Sequence, residues 1–597
     1  MSVLETPRIY FKGEVAWDPI TTNNYDSNYD EFGCETILPG VADRVKVFRE
    51  RAIATVGTGG NWNPHGTHRS TFYNTAVCGF DAGAGLQTVD PFVTAAVNFS
   101  GMLVDIEPFG AFTSQLFFDR MLLGVDGGYR ILLPRRSRFV DRYINFGRNS
   151  VNTMIAGVAS VVWQTSFAKA DGLRIDPFDS PALQALASAI EPDDVLGLTV
   201  RFNAYRTVYY DNPNLTGGSP EVQKEAKALI AKLQAGGFQP NPARSLLVGV
   251  VGLWRKGESS SEPCERTLVP AGNSPLGSSW ARIDGTTLTL DLSNSVPEDQ
   301  KDLHKLDLGT LTVAAVDPAT KASTTLGTIP YTQYDREAYE ASAGIVTLTI
   351  AADAGQNAAN QDLQLQDSSA TVQLGELALR AVPALANLYL DEGHRVNATF
   401  QVYRRGQPAT SAVPLTLFQM NAPGGAPDNR VPATTDANGV LTLPLVGASA
   451  GITAYVPSFS TADNPALLGG INPQINTYMY VRMLPADRAL TELAPTWENV
   501  YAYVLANWNA MAPCMDNWLL LNDPEQVRAY AAMLKRLTNP ANFEAFRFMP
   551  VTRDMTAGQR ALLYKFLDAP ALHAKVEAKA PAPHRSAVEL SRSMRRP

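Results

Sequence analysis

The chain has 597 residues, 45% of them hydrophobic and 18% charged, the balance of a folded globular protein and not of a disordered one. Lys and Arg number 50 against 58 Asp and Glu, a net charge of −8, which argues against the concentrated basic face that nucleic-acid binding requires. No apolar run approaches the roughly 20 residues of a membrane-crossing helix, and four scattered cysteines without a CxxC pair (Cys34, Cys78, Cys264, Cys514) make no disulfide scaffold. A cytoplasmic protein with no nucleic-acid and no membrane partner is expected, and its length suggests three or four domains at roughly 100–200 residues each.

From the amino terminus, "MSVLETPRIYFKGE" lacks the apolar core of a signal peptide. In "NNYDSNYDEFGCE" (23–35), Asp26, Asp30 and Glu31 do not keep the calcium-loop spacing, so a solvated loop is expected. His65 and His68 in "NPHGTHRS" lack the third and fourth ligands of a metal site and read as a polar turn. "MIAGVASVVW" (154–163) reads as core. Asp193 and Asp194 in "EPDDVLGLTV" could be paired acid–base groups, but adjacent carboxylates point apart in a strand, and a turn entering the core is the plainer reading. A helix is predicted near 219–235: Ser219 and Pro220 open it, Val222, Leu229, Ile230 and Leu233 form one stripe, and Gly236-Gly237 stop it.

"LLVGVVGLWRKGE" (246–258) decides whether the chain looks like a nucleotide enzyme. A phosphate loop needs Gly-x-x-x-x-Gly-Lys-Ser/Thr. Here Gly249, Gly252 and Gly257 have the wrong spacing and Lys256 precedes its glycine, so the stretch reads as a buried strand whose glycines admit another part of the chain closely. Residues 257–279, rich in Ser, Pro and Gly, read as a linker. Beyond it "RIDGTTLTLDLS" places an Asp-Gly turn before alternating Leu288, Leu290 and Leu292, and similar strands recur to 384. In 385–485, Asn438-Gly439 leads into an alternating strand, like the closing hairpin of an Ig-like sandwich. Residues 496–568 carry helical signals: Val500, Val504 and Trp508 at four-residue spacing, Asp523-Pro524 opening a helix with Val527, Tyr530, Leu534 and Leu537, and Thr556 with Gln559 as a capping box.

The expected fold class is therefore mainly β, built of β-sandwich-like domains, one of them Ig-like, with a small C-terminal α-helical subdomain. The expected domains are a β-rich unit over 1–256 with the helical insertion, a linker over 257–279, a sandwich-like unit over 280–384, the Ig-like unit over 385–485, the helices of 496–568 and a flexible tail over 569–597. His304, His394, His573 and His584 have no neighbours suggesting a triad, and six histidines are sparse for imidazole catalysis. No catalytic residue and no metal ligand is assigned, and cofactor-binding residues stay unknown.

Four ordered stretches, "PRIYFKG" (7–13), "EPDDVLGLTV" (191–200), "VGVVGLWRKGE" (248–258) and "FMPVTRDMTAGQRALLYKFL" (548–567), resemble the N-terminal half of the VioB and chromopyrrolate synthase family. "YTQYDREAYEASAGIVTL" (331–348) and "ANLYLDEGHR" (386–395) extend the resemblance. It implies a haem-containing synthase that oxidatively couples two arylpyruvate imines and continues into a ferritin-like helical domain with Glu-x-x-His motifs. Glu-x-x-His occurs nowhere in this sequence, so no four-helix metal cage is expected from its residues. Three functions are carried forward. The first is a non-catalytic accessory or scaffold protein acting with a separate ferritin-like or oxidase subunit. The second is a stand-alone structural, self-assembling or ligand-binding sandwich protein. The third is an independent haem-dependent coupling enzyme, the one case in which a cofactor is expected.

Overall fold

The computed structural model describes residues 2–16, 40, 42–43, 47, 69–106, 114–146, 158–208, 220–238, 244–298, 303–331, 335–420, 429–448, 450–459, 471–472, 475–511 and 519–569. Asp26, Asp30, Glu31, Cys34, His65, His68, Cys514, His573 and His584 lie outside them, as does the tail from residue 570 onward. Among the described residues no helix is long and apolar enough to cross a membrane.

The first sheet is made of β1 (Arg8–Ala16), β2 (Arg69–Asp81), β3 (Val97–Asp105), β4 (Ser114–Gly124), β5 (Arg130–Pro134), β6 (Phe139–Phe146), β7 (Val158–Ala168), β8 (Arg174–Asp176), β9 (Val195–Val208) and β10 (Arg244–Arg255). Its order is β3-β2-β1-β10-β9-β7-β6-β4-β5-β8, and a further β3–β4 pairing closes it into an antiparallel barrel. Alternation along the strands sends one set of side chains inward. Phe11, Phe72, Phe99, Phe118, Phe139, Phe167 and Phe202 meet there with Trp163 and fill the interior.

The stretch 246–258 is β10 and the turn after it, and the strand is buried almost throughout. Both its faces are covered, since Leu247 and Val251 point into the barrel while Leu246, Val248 and Val250 meet a second core outside. That explains a continuous apolar run where a one-sided strand would alternate. Gly249 pairs with Phe11 across the sheet, and a Cβ on it would lie 2.2 Å from Cζ of that ring. The glycine is there to admit Phe11. The helix Pro220–Ala235 buries Leu229 and Leu233 in the outer core.

A second antiparallel sheet, barrel-like in form, contains β11 (Arg266–Pro270), β12 (Ser279–Asp284), β13 (Thr287–Asp291), β14 (Gly309–Val316), β15 (Ser323–Tyr331), β16 (Ile345–Thr349), β17 (Asp362–Gln366) and β18 (Val372–Leu377). The Asp284-Gly285 turn joins β12 to β13, and Leu288, Leu290 and Leu292 are all buried. Residues 257–279, a linker by composition, behave otherwise: 261–269 are buried and include most of β11, which pairs with β12 and β18.

Then come β19 (Leu379–Pro383), β20 (Asn387–Asp391), β21 (Arg395–Arg404), β22 (Gln407–Pro408), β23 (Pro414–Met420), β24 (Asn429–Thr434), β25 (Val440–Val446), β26 (Gly451–Ser458) and β27 (Met479–Leu484). They form two sheets: β19-β21-β22 with β25 on β21, and β20-β27-β26-β23-β24, in which β20 and β27 run parallel. The turn at Asn438-Gly439 does not close a hairpin. It carries the chain from β24 in one sheet to β25 in the other, with the Asp436 carboxylate accepting from the backbone N–H of Asn438 and Val440.

The helical region packs Val500, Val504, Trp508, Val527, Leu534 and Phe566 into its own core. The Thr556–Gln559 capping box is present in both directions. The helix expected after Pro524 breaks at Tyr530 into Pro524–Ala529 and Ala531–Thr538. Residues Tyr501–Leu505 widen to a π-helical turn between two α-helical segments.

Candidate functional site

Among the described residues, beside the buried pairs Arg8–Asp81 and Arg266–Glu376, two regions gather several buried charges. The first is the seam between the barrel and the second sheet. Outward residues of β9 and β7 share one face here, because Gln164 pairs with Arg201 and Val162 with Asn203. Arg201 donates to Gln164 Oε1 at 2.9 Å, to both Glu265 oxygens at 2.7 and 2.8 Å, and to Asp291 Oδ2 at 3.0 Å. Arg206 makes a double contact with Glu298 at 2.6 and 2.9 Å. Asn203 donates to the Ser293 carbonyl at 2.5 Å. Burial by itself would lower the pKa of Arg201, but Glu265 and Asp291 outweigh it and hold the guanidinium above its usual range. Lys305 sits 4.3 Å from the centre of the Tyr339 ring, and burial pushes its ammonium down to about 8 against the pull of Glu298.

The second region is a junction where the barrel, the five-stranded sheet and residues 543–554 converge. Strand β27, "MYVRML", is buried on both faces: Met479 and Val481 point into the core between the last two sheets, Tyr480 and Arg482 the other way. Arg142 donates to Glu262 at 2.9 Å and lies 4.4 Å from the centre of the Tyr478 ring. Arg138 donates to Gln115 Oε1 at 3.0 Å and pairs with Glu544 at 3.1 Å, and Gln115 donates to the Tyr389 hydroxyl at 3.0 Å. Arg553 stacks 3.5 Å from the centre of Phe117 and donates to the carbonyls of Phe543, Ala545 and Val551. Burial pushes it down to about 9, still charged at neutral pH.

At the heart of this junction the partners run out. Arg482 is 0% exposed; its Nη1 donates to the Thr552 carbonyl at 3.2 Å, while Nε and Nη2 have no hydrogen-bond partner. Asn387, 1% exposed, lacks a partner at both amide atoms. It lies on β20, opposite Tyr480, with Tyr389 opposite Arg482, so Asn387, Tyr389, Tyr480 and Arg482 share one face. Asp554 accepts at Oδ1 from Thr552 (2.5 Å) and from Trp508 Nε1 (3.2 Å), and its Oδ2 has no partner. Burial raises the pKa of this carboxyl, and the charge of Arg482 opposes the rise.

The residues considered from sequence lie elsewhere. Asp193 and Asp194 form a turn before β9, and Asp194 binds Arg255. Lys256 is exposed beside that turn, and His304 and His394 are exposed. Burial pushes the Cys78 thiol up to about 12, and Cys264 is likewise buried and held protonated. Among the described residues no three His, Cys, Asp or Glu side chains are grouped to hold a metal ion. Nor do the described residues fit a haem: the barrel is filled with aromatic rings, and both described histidines are on the surface. Sequence reading passed over Arg482, Asn387 and Asp554. One signal was available, a lone arginine inside an otherwise apolar strand sequence.

Fold and site together define a mainly β protein with a closed barrel and a barrel-like sheet joined by buried ion pairs, a two-sheet unit, and helices at the end of the described chain. The chain is VioB-like: it is 27% identical over 428 residues to the 2-imino-3-(indol-3-yl)propanoate dimerase of Chromobacterium violaceum. That match covers 68% of this chain and 37% of the dimerase, so it spans well under half of the relative's length. No family model matches. Among solved structures, a complex of Dpr2 Ig1-Ig2 with DIP-Theta Ig1-Ig3 shares 14% identity over 34% of this chain and 60% of that one. Its TM-score is 0.11, and it carries no argument about the fold.

Proposed function

We propose that the chain serves the coupling of arylpyruvate-derived imines as a non-catalytic scaffold, working with a separate ferritin-like or oxidase subunit in the cytoplasm. The reaction class comes from the likeness to the imine dimerase. The observation that carries the scaffold role is the seam. Arg201 and Arg206 are each bound to a carboxylate from residues 265–298, so these buried charges hold the barrel against the region of the second sheet and are not poised over a cleft. The two-sheet unit of 379–484 supports an Ig-like module as the docking element of such a scaffold.

The test is reconstitution in the native host. Affinity capture is expected to recover a ferritin-like or oxidase subunit, and deletion of this chain is expected to lower dimer formation from indole-3-pyruvate imine. Capture of the chain alone, with dimer yield unchanged in the deletion strain, overturns the proposal.

A further inference from the structure

We propose that the end of the barrel where Val89, Val125 and Phe178 stand in solvent is a docking surface, and that its occupant is this chain's own carboxy-terminal segment, residues 570–597. Val89 is 90% exposed, Val125 61% and Phe178 58%. The three belong to different loops, which are tied together at this end. Val125 follows β4 and its N–H donates to the Tyr129 carbonyl, while the Tyr129 ring meets that of Phe178 edge-on at 5.6 Å. Val89 precedes Asp90, whose carboxylate accepts from Ser180 Oγ at 2.6 Å and from the Ala182 N–H at 2.9 Å, just past Phe178. Phe178 takes φ 43°, a left-handed conformation that a bulky residue rarely adopts, and its carbonyl accepts from the Gln184 amide at 3.0 Å. The apolar tips are thus held outward by a bonded framework. Large apolar side chains gathered on one exposed surface mark an interaction site, where scattered single ones would not.

Charge selects the occupant. From Asp171 to Asp194 the chain carries six Asp and Glu against Arg174 alone, a net −5. Asp179 stands before the helix Pro181–Ala189, and Glu191 and Asp193 after it; all three are exposed and make no ion pair among the described residues. Residues 570–597 carry six Lys and Arg against two Glu, a net +4 in a chain whose total is −8. Leu590 and Met594 lie among Arg592, Arg595 and Arg596, so the segment brings apolar side chains together with the opposite charge. Complementary charge chooses the partner and sets its orientation, and apolar contact adds the affinity. Reach is sufficient. The helical region meets the barrel where the Phe546 N–H donates to Asp119 on β4. Val125 lies about 20 Å further along that strand, and the helix Ala557–Asp568 is about 18 Å long. The 28 residues of 570–597 extend to ~90 Å. This inference stands apart from the scaffold reading.

The experiment is trypsin cleavage of the segment in the full chain, timed by mass spectrometry at about 0.1 M and about 1 M salt, where the screening lengths are roughly 10 and 3 Å. The free peptide 570–597 is the reference. At the lower salt the wild type is expected to be cut after Arg585 roughly tenfold more slowly than the peptide, because cleavage follows the undocked fraction. At the higher salt the protection is expected to vanish. F178S, at an exposed position, is expected to be cut at the peptide's rate at both salts. D193K is expected to lose part of the protection at the lower salt, and it keeps the test readable should F178S not fold. Equal rates for wild type, both variants and the peptide overturn the proposal. Protection that persists in both variants places the segment elsewhere and overturns the assigned surface. Protection that fades on dilution gives the surface to the segment of a second copy and overturns the intramolecular docking.

Discussion

The seam and the junction are both buried and both lined with arginine, yet they differ in how the charge is answered. At the seam Arg201 and Arg206, on β9 of the barrel, reach Asp291 on β13 and the carboxylates of Glu265 and Glu298 beside the second sheet. At the junction Arg142 and Arg138 also meet carboxylates, Glu262 and Glu544, but Arg553 is answered by carbonyls and rings and Arg482 by one carbonyl. The contrast separates two uses of buried cations. One is cement, complete within the chain. The other leaves Nε and Nη2 of Arg482 without a hydrogen-bond partner among the described residues.

Breaking the seam gives the largest effect. Glu265→Gln strips the double contact from Arg201 and is expected to cost about 3–5 kcal/mol, as for other broken buried pairs. Urea titration checks this, with the barrel and second sheet expected to unfold in separate steps. Arg482→Met sharpens the comparison by changing sign: it is neutral or raises stability by roughly 1–4 kcal/mol, and a loss like that of Glu265→Gln would show Arg482 to be cement too. Gly249→Ala sets the scale for a site belonging to neither region. Its Cβ meets Phe11, and overpacking of this kind costs about 1–3 kcal/mol, which Phe11→Leu in the same chain should partly relieve. The smallest effect is pH-dependent. Because the folded state raises the pKa of Asp554, its contribution is full below the ordinary value of 3.8 and is lost as pH climbs through the folded value. Asp554→Asn removes that slope, seen as a flatter dependence of the urea midpoint on pH.

Much of the fold was legible where local pattern and burial agree. The buried strand of 244–255, the Asp284-Gly285 turn, the helix of 220–235 and the Thr556 cap all follow from residue type and spacing. Residues 257–279 were not legible, because Ser, Pro and Glu read as exposed until a distant partner is known. Glu262 and Glu265 are wholly buried only because Arg142 and Arg201, far back in the chain, receive them. The turn at Asn438-Gly439 was visible, but which sheet its flanking strands join is a matter of tertiary pairing. The junction was legible only in fragments. "ANLYLDEGHR" and "FMPVTRDMTAGQ" stood out for their resemblance, and they supply Asn387, Tyr389 and Asp554. Their convergence on Arg482 depends on a parallel pairing of β20 with β27, strands separated by most of two sheets.

Strand β1 lies between β2 and β10, so Ile9 waits for Val251 before the barrel can close. During synthesis the early strands must therefore persist with an open hydrogen-bonding rim until the ribosome has delivered β10, an interval in which a chaperone or a stray strand can occupy that rim. Truncations that end before Arg244 should aggregate on release, whatever the quality of their own packing.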